Sequence, residues 1–172
     1  MEKFKRLNNI GGVVSFVIAA IVYTLTLEPT ASWWDCGEYI STAFKLQVGH
    51  PPGAPLFQLL GRFFSLFAFG NTLNVAFMIN LMSGIVSALT IMFLFWTITH
   101  IVRKLVASDN EITLKDTIIV LASGFIGAIA FAFSDSFWFS AVEGEVYAMS
   151  SFFTAVVFWA ILKWEEQYNQ KH

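Results

Sequence analysis

Long apolar runs alternate with short polar stretches along the chain. Four runs are close to the roughly 20 helical residues needed to cross about 30 Å of hydrocarbon. They are Ile10–Leu27, Leu73–Val102, Thr117–Phe133 and Val146–Trp164. The second run is long enough to tilt or to begin outside the membrane, and the sequence FWFSAV would extend the short third run. The pattern over residues 1–172 therefore predicts an all-α polytopic membrane protein with four transmembrane helices.

Composition supports a membrane protein and excludes several other classes. The chain is 56% hydrophobic and 13% charged, with a mean hydropathy of +0.65, whereas a soluble domain carries about 25% charged residues. The net charge is −2 and no basic run is present, so we expect no nucleic-acid partner. A single cysteine, Cys36, excludes an internal disulfide. The three histidines are far apart, so their spacing predicts no metal-ligand cluster.

Basic residues predict how the chain crosses the membrane. The first run follows the basic segment MEKFKR and precedes a passable cleavage site, TAS, but it exceeds the roughly 7–15 apolar residues of a signal peptide. We therefore expect an uncleaved anchor. Eight of the ten Lys and Arg residues lie at the two chain ends or between the second and third runs, which predicts cytoplasmic termini. Residues 28–72 and 134–145 then form two outer loops, which hold six acidic residues against two basic ones.

The first outer loop is too long and too apolar to be a plain connection. WWDCGEYISTAFKLQ has helical spacing, GHPPG interrupts the helix, and APLFQLLGRFFSLFAF resumes it as an apolar helix. The loop therefore predicts two short helices on the outer membrane surface, with Arg62 reaching toward lipid headgroups. Trp33 and Trp34 follow the first span, where tryptophans commonly anchor a protein at the interface.

Four acids and one histidine on the outer loops are candidate functional residues. Asp35 and Glu38 share one helical face, although the same spacing fits a capping box in which Asp35 is the N-cap. Glu143 and Glu145 emerge on the same predicted face from the second outer loop. His50 precedes two prolines and could donate to a phosphate or hold an acidic neighbour.

Two motifs carry a resemblance to a known family. WDCGEYISTAFKLQVGHPPGAPLF together with FWFSAVEGEVYAM resembles a bacterial membrane family related to the eukaryotic endoplasmic-reticulum protein O-mannosyltransferases of plexin and receptor immunoglobulin-like domains. Both belong to the GT-C superfamily of membrane glycosyltransferases. The resemblance implies transfer of a sugar, such as mannose, from a polyprenyl-phosphate carrier to an extracytoplasmic acceptor, such as protein Ser/Thr, with inversion. It also implies a bacterial inner-membrane location with a periplasmic active face.

The resemblance further implies roles for individual residues. An acid just after the first span is the general base, which places Asp35 in that role with Glu38 as its partner. The acid of the second loop maps to Glu145, with Glu143 beside it. A cation would help to stabilise the departing phosphate. The outer-face candidates for binding substrate or phosphate are Lys45, His50 and Arg62, with Trp34 and Glu143 beside them. These residues demand no cofactor or metal and leave dependence on a divalent cation open, and the lipid-linked sugar is a substrate.

Family members continue through more spans, so we expect this chain to be a fragment. An alternative is a non-catalytic membrane module that binds a lipid carrier or assembles a larger complex. A transporter is disfavoured because no acid or base lies deep in any predicted span. The enzymatic interpretation requires that carboxylates from both outer loops converge on one shared cavity at the lipid boundary.

Overall fold

The protein is a bundle of helices. The computed structural model describes residues 2–106 and 112–171, with side chains described as far as residue 168. In chain order the α-helices are α1 (Glu2–Leu25), α2 (Cys36–Lys45), α3 (Pro55–Ser65), α4 (Val75–Val106), α5 (Leu114–Ala132), α6 (Asp135–Ala141) and α7 (Tyr147–Lys171). Helices α1, α4, α5 and α7 are long and apolar enough to span a membrane. The predicted all-α polytopic fold with four spans is confirmed.

Helix α4 is the centre of the bundle and packs against α1, α5 and α7. Small residues let its neighbours approach closely. A Cβ on Gly12 of α1 would lie 2.3 Å from Nε1 of Trp96, and a Cβ on Gly124 of α5 would lie 2.4 Å from Cγ2 of Thr99. Tyr23 is fully buried and its hydroxyl donates to the carbonyl of Ala132 at 2.8 Å, which ties α1 to the end of α5.

Two predicted boundaries need correction. Helix α1 begins at Glu2, eight residues before the predicted span, because the polar first turns are helical and bury Phe4. The segment FWFSAV does not extend the third span. The backbone of Ser134 is extended, with a ψ of 138°, so α5 ends at Ala132 and a separate helix, α6, begins at Asp135.

The first outer loop contains two short helices, as predicted. Helix α2 ends where Leu46 adopts a left-handed conformation with a φ of 50°. Helix α3 begins with Pro55 in its first turn, where proline is tolerated. The two helices pack where Gly61 of α3 faces Ala43 of α2, and a Cβ on this glycine would lie 2.9 Å from that of Ala43.

The two outer loops meet at one end of the bundle. The backbone N–H of Glu28 donates to the carbonyl of Val142 at 3.1 Å. Asn80, near the start of α4, donates through Nδ2 to the carbonyls of Glu28 at 2.6 Å and Thr30 at 2.9 Å. The beginning of α1 and the later parts of α4 and α7 line a common cavity at the opposite end. The fold therefore places residues 28–72 and 134–145 together, away from the two chain ends.

Candidate active site

The start of α2 positions the first acidic pair. Asp35 directly precedes the helix and Glu38 lies in its first turn. Trp34, just before Asp35, has a φ of 64°, which is rare for a bulky residue, and its side chain is 89% exposed. The side chain of Asp35 makes no capping hydrogen bond, and the carboxylate of Glu38 turns to His50. The capping-box interpretation of this pair is therefore wrong.

His50 holds the carboxylate of Glu38. The backbone N–H of His50 donates to Oε1 at 2.7 Å, and ring atom Nδ1 lies 3.1 Å from Oε2. On the other side of the ring, Nε2 lies 3.9 Å from Oδ2 of Asp35. The hydrogen bonds from the backbone and ring of His50 lower the pKa of Glu38 below its usual value. Of the two roles predicted for His50, the structure shows the contact with an acidic neighbour.

These three side chains form a possible cation site that sequence spacing did not predict. One ligand atom from each of Asp35, Glu38 and His50 lies within 4.8 Å of the others. Carboxylate and imidazole together are ligands for divalent transition metals. These side chains meet only through the fold, which the spacing of the histidines cannot show, and the expectation of no metal ligand here stays a prediction. The side chains of Asp35, Glu38 and His50 are 60%, 41% and 41% exposed, so within this chain the site is an open surface.

The second outer loop contributes a buried acidic pair. Glu143 and Glu145 are only 5% and 6% exposed. The hydroxyl of Ser32, in the first outer loop, donates to the carboxylate of Glu143. Burial raises the pKa of Glu143. Burial also raises the pKa of Glu145, and the nearby charges of Glu143 and Asp35 raise it further.

Glycine allows the second loop to lie against α2 and α4. A Cβ on Gly144 would lie 2.9 Å from Oδ1 of Asn80 and 3.2 Å from Cγ1 of Ile40. Since Gly144 sits between the two buried glutamates, this contact places that part of the second loop beside α2. The acids of the two outer loops therefore lie on the same side of the bundle and close enough to influence one another, as predicted. Their enclosure in one cavity stays a prediction.

Tyr39 is a site residue that the sequence pattern did not predict. Its ring lies against His50, with ring centroids 5.8 Å apart. Burial raises the pKa of the Tyr39 hydroxyl, and so do the charges of Asp35, Glu145 and Glu38. This phenol thus lies among carboxylates from both loops. The only signal in the sequence was a hydroxylated aromatic residue directly after Glu38.

Asn80, near the start of α4, holds the first outer loop in place. Its amide donates to two backbone carbonyls of that loop. In the sequence this residue is a polar side chain near the outer end of an apolar helix. Asn80 is fully buried, so these bonds satisfy a donor that water cannot reach.

Two predicted phosphate ligands lie apart from the acids. Lys45 is ten residues beyond Asp35, a distance of about 15 Å along a helix. Arg62 donates through Nη1 to the carbonyl of Phe44 at 2.9 Å and lies 5.3 Å from the centre of its ring. The sequence predicts that Arg62 reaches toward lipid headgroups. In the structure Arg62 instead caps the end of α2. Among the predicted basic ligands, His50 is the one beside Asp35 and Glu38.

Comparison with known proteins identifies the family. Residues 35–172 match the family described as "Protein O-mannosyl-transferase TMEM260 N-terminal domain". The chain belongs to this TMEM260 N-terminal family. The match begins at Asp35, the first acid of the motif WDCGEYISTAFKLQVGHPPGAPLF. The predicted relationship to the protein O-mannosyltransferases is confirmed.

Two TMEM260 relatives show the extent of the similarity. Protein O-mannosyl-transferase tmem260 of Dictyostelium discoideum is 33% identical over 145 residues, which are 84% of this chain and 16% of the relative. Protein O-mannosyl-transferase TMEM260 of Mus musculus is 33% identical over 157 residues, which are 91% of this chain and 20% of the relative. The chain thus spans a fifth or less of the length of these relatives. No solved structure matches the chain.

Proposed function

We propose that this chain is the N-terminal part of a GT-C membrane glycosyltransferase. The full-length protein transfers a sugar, mannose, from a polyprenyl-phosphate carrier to a Ser or Thr hydroxyl of an extracytoplasmic protein. The observation that carries the proposal is the meeting of Asp35 and Glu38, from one outer loop, with Glu143 and Glu145 from the other. Family membership supports it, because the TMEM260 relatives are named protein O-mannosyl-transferases.

In this reaction Asp35 acts as the general base. Its carboxylate accepts the proton of the acceptor hydroxyl while the hydroxyl oxygen bonds to the anomeric carbon of the sugar. The bond between that carbon and the phosphate oxygen breaks, and its electron pair leaves with the phosphate. Attack from the face opposite the phosphate inverts the anomeric configuration. A positioned base of this kind contributes about 10²–10⁴-fold to the rate.

The neighbouring residues orient this base and bind the donor. Asp35 is the most exposed member of its cluster, so an acceptor hydroxyl can reach it. Glu38 fixes His50, whose Nε2 faces the space beside Asp35 and can donate to the departing phosphate when the ring is protonated. We propose that Glu145 and Glu143 form the wall of the site on the side of the second loop. We propose that the exposed ring of Trp34 packs against the substrate.

The outer helices suit a donor that is anchored in lipid. Helix α3 exposes Leu59 and Phe63, which are 62% and 53% exposed, beside the acidic cluster carried by α2. Such a surface can receive an isoprenoid tail while the phosphate and sugar reach α2. Lys45 and Arg62, at the far end of α2, lie where they can contact the carrier outside the reacting centre. We place the protein in a bacterial inner membrane, with both termini cytoplasmic and this site periplasmic.

The role of Asp35 as the general base can be tested in the full-length enzyme. Asp35→Asn keeps the shape of the side chain but cannot accept a proton, so we expect transfer to fall by about 10²–10⁴-fold. The measurement is transfer of radiolabelled sugar from polyprenyl phosphate to an acceptor peptide, at matched amounts of membrane-inserted protein. Asp135→Asn, which changes an acid at the start of α6, is the matched control and should retain activity.

The same assay separates catalysis from binding alone. Retained transfer in Asp35→Asn would remove the role given to this residue. A full-length protein that binds polyprenyl phosphate but transfers no sugar to any tested acceptor would support the alternative, a non-catalytic module that binds the carrier.

A further inference from the structure

A second polar site lies at the other end of the bundle. A cavity of about 760 Å³ opens between the beginning of α1 and the later parts of α4 and α7. This volume falls in the range of roughly 300–1,000 Å³ that is typical of small-ligand sites. The roles proposed for the outer loops involve none of the side chains that line it. The cavity is therefore a separate candidate binding site.

The cavity wall contains a buried polar atom without a partner. The side chain of His100 is 3% exposed. Its Nδ1 lies 3.7 Å from the carboxylate of Glu166, while its Nε2 has no hydrogen-bond partner among the described residues. Buried polar groups in proteins are nearly always hydrogen-bonded. An occupant of the cavity with a polar group would satisfy this nitrogen.

The lining is positively charged. The charged residues of the lining are three bases, Lys5, Arg103 and Lys163, and one acid, Glu166. Arg103 donates to one oxygen of Glu166 and Lys163 donates to the other at 3.0 Å, so both oxygens are engaged. Lys5 makes no ion pair within residues 2–106 and 112–168. Three positive charges against one negative charge leave a surplus of two, which favours an anionic ligand.

Apolar and aromatic side chains complete the cavity. Trp96 and Trp159 lie with ring centroids 5.9 Å apart, and Val13 is 50% exposed on α1. Tryptophan and basic residues together are typical of a membrane interface. Basic pockets between transmembrane helices bind the headgroups of anionic lipids. The occupant that fits this combination is an amphiphile with an anionic head.

We propose that this cavity binds an anionic phospholipid. The phosphate lies among Lys5, Arg103 and Lys163, and Nε2 of His100 hydrogen-bonds a polar group of the head. The acyl chains run along Val13 and Trp159 into the bilayer. Because α1, α4 and α7 all line the cavity, the bound lipid joins the three helices at the end where the two outer loops do not hold them together.

The test uses the full-length protein with phosphatidylglycerol and phosphatidylcholine as probes, titrated in detergent and counted by native mass spectrometry. We expect phosphatidylglycerol to bind in preference to phosphatidylcholine. Lys5→Gln removes a charge that holds no ion pair within the described part of the chain, so the fold should survive. We expect it to weaken phosphatidylglycerol binding about fivefold, the effect of one basic residue near an anionic membrane surface. Lys3→Gln, two residues away on α1 and outside the cavity lining, should leave binding unchanged.

Three results would overturn the proposal. Equal binding of both lipids would mean that the cavity holds water or is covered by a later part of the full-length protein. Equal weakening by Lys3→Gln and Lys5→Gln would indicate a general surface charge effect. Complete displacement of phosphatidylglycerol by millimolar inorganic phosphate would point to a soluble phosphate compound instead of a lipid.

Discussion

The two acidic pairs differ in burial, and burial changes how readily a carboxyl group loses its proton. Asp35 and Glu38 are largely exposed at the start of α2, whereas Glu143 and Glu145 are almost fully buried in the second loop. A buried carboxyl group favours its neutral form because it loses the hydration of its charge. Neighbouring acids whose pKa values are moved apart, here lowered at Glu38 and raised at Glu145, are typical of sites with distinct acid and base roles. The greater exposure of Asp35 supports its role as the proton acceptor, and the burial of Glu145 supports a structural role in the site.

The raised pKa of Glu145 predicts a pH-dependent gain in stability when its charge is removed. The folded protein holds this proton more tightly than the unfolded chain, so wild-type stability falls as pH rises from about 4.5 through the raised folded value. The Gln side chain of Glu145→Gln is neutral at every pH, so this variant does not lose stability in that pH range. We expect its melting temperature in detergent to exceed that of the wild type at pH 8 and to match it near pH 4.

Asp135→Asn is the control for this measurement, because it removes an exposed charge on the same face. Its melting curves should follow the wild type at both pH values. A melting temperature of Glu145→Gln that is lower than wild type at pH 8 would mean that the buried carboxylate stabilises the fold, and would contradict this account.

At the scale of single helices, α2 and α3 depend on one close contact. Gly61 lies against Ala43, and the next residue along α3, Arg62, donates to the carbonyl of Phe44. The glycine lets the two helices approach, and the arginine then reaches the carbonyl end of α2, where a positive charge is favourable. This packing fixes the direction of α2 and therefore the position of Asp35.

Gly61→Leu should separate the two outer helices. A Cβ at this position would already lie 2.9 Å from that of Ala43, so a larger side chain must push α3 away. We expect destabilisation of about 1–3 kcal/mol from overpacking, measured as a lower melting temperature in detergent. Leu59→Ala, on the exposed face of the same helix, should have little effect. Equal melting temperatures for Gly61→Leu and wild type would show that the contact does not constrain α3.

Hydropathy predicted the helices well and their ends less well. The four spans and the two outer helices follow from apolar run length and from the break at GHPPG. The start of α1 was missed because its polar turns lower the mean hydropathy while still burying Phe4. Helix α6 was missed because one extended residue, Ser134, ends α5 within an apolar stretch. A hydropathy average over many residues does not report the backbone conformation of a single residue.

The site was predictable where spacing along one helix brings residues together, and where the order of the spans places both outer loops at one end of the bundle. Asp35 and Glu38 are close because they are three residues apart at the start of α2. The contact between His50 and Glu38 arises because the chain turns back after Leu46, and no periodicity encodes that reversal. The positions of Lys45 and Arg62 away from the acids likewise depend on how α2 and α3 pack.

For the whole molecule, the fold separates an acidic end from a basic one. The outer loops carry the four acids of the site, whereas the opposite end carries the cavity with its surplus of Lys and Arg. Basic residues are typically retained on the cytoplasmic side. The architecture therefore supports an orientation with the acidic site outside the cytoplasm.

Cysteine labelling tests this orientation in a Cys36→Ala background of the full-length protein. Trp33→Cys, at a position that is 84% exposed in the first outer loop, should react with a membrane-impermeant maleimide added from the periplasmic side. Lys115→Cys, at the start of α5, should react only after the inner membrane is permeabilised. The reverse pattern would place the acidic site in the cytoplasm.

We propose that the two outer loops form one catalytic site, and a double-mutant cycle on the transfer rate can show whether they do. Glu38→Gln and Glu145→Gln are measured alone and together in the full-length enzyme, with Glu38→Gln plus Asp135→Asn as the control pair. Residues that act on one site are coupled by on the order of 0.5–3 kcal/mol, whereas distant residues are additive. We predict that the fold-loss in transfer rate of the Glu38→Gln, Glu145→Gln double variant differs from the product of the two single fold-losses. For the control pair we predict that the double fold-loss equals the product of the single ones. Simple multiplication in both pairs would contradict a shared site.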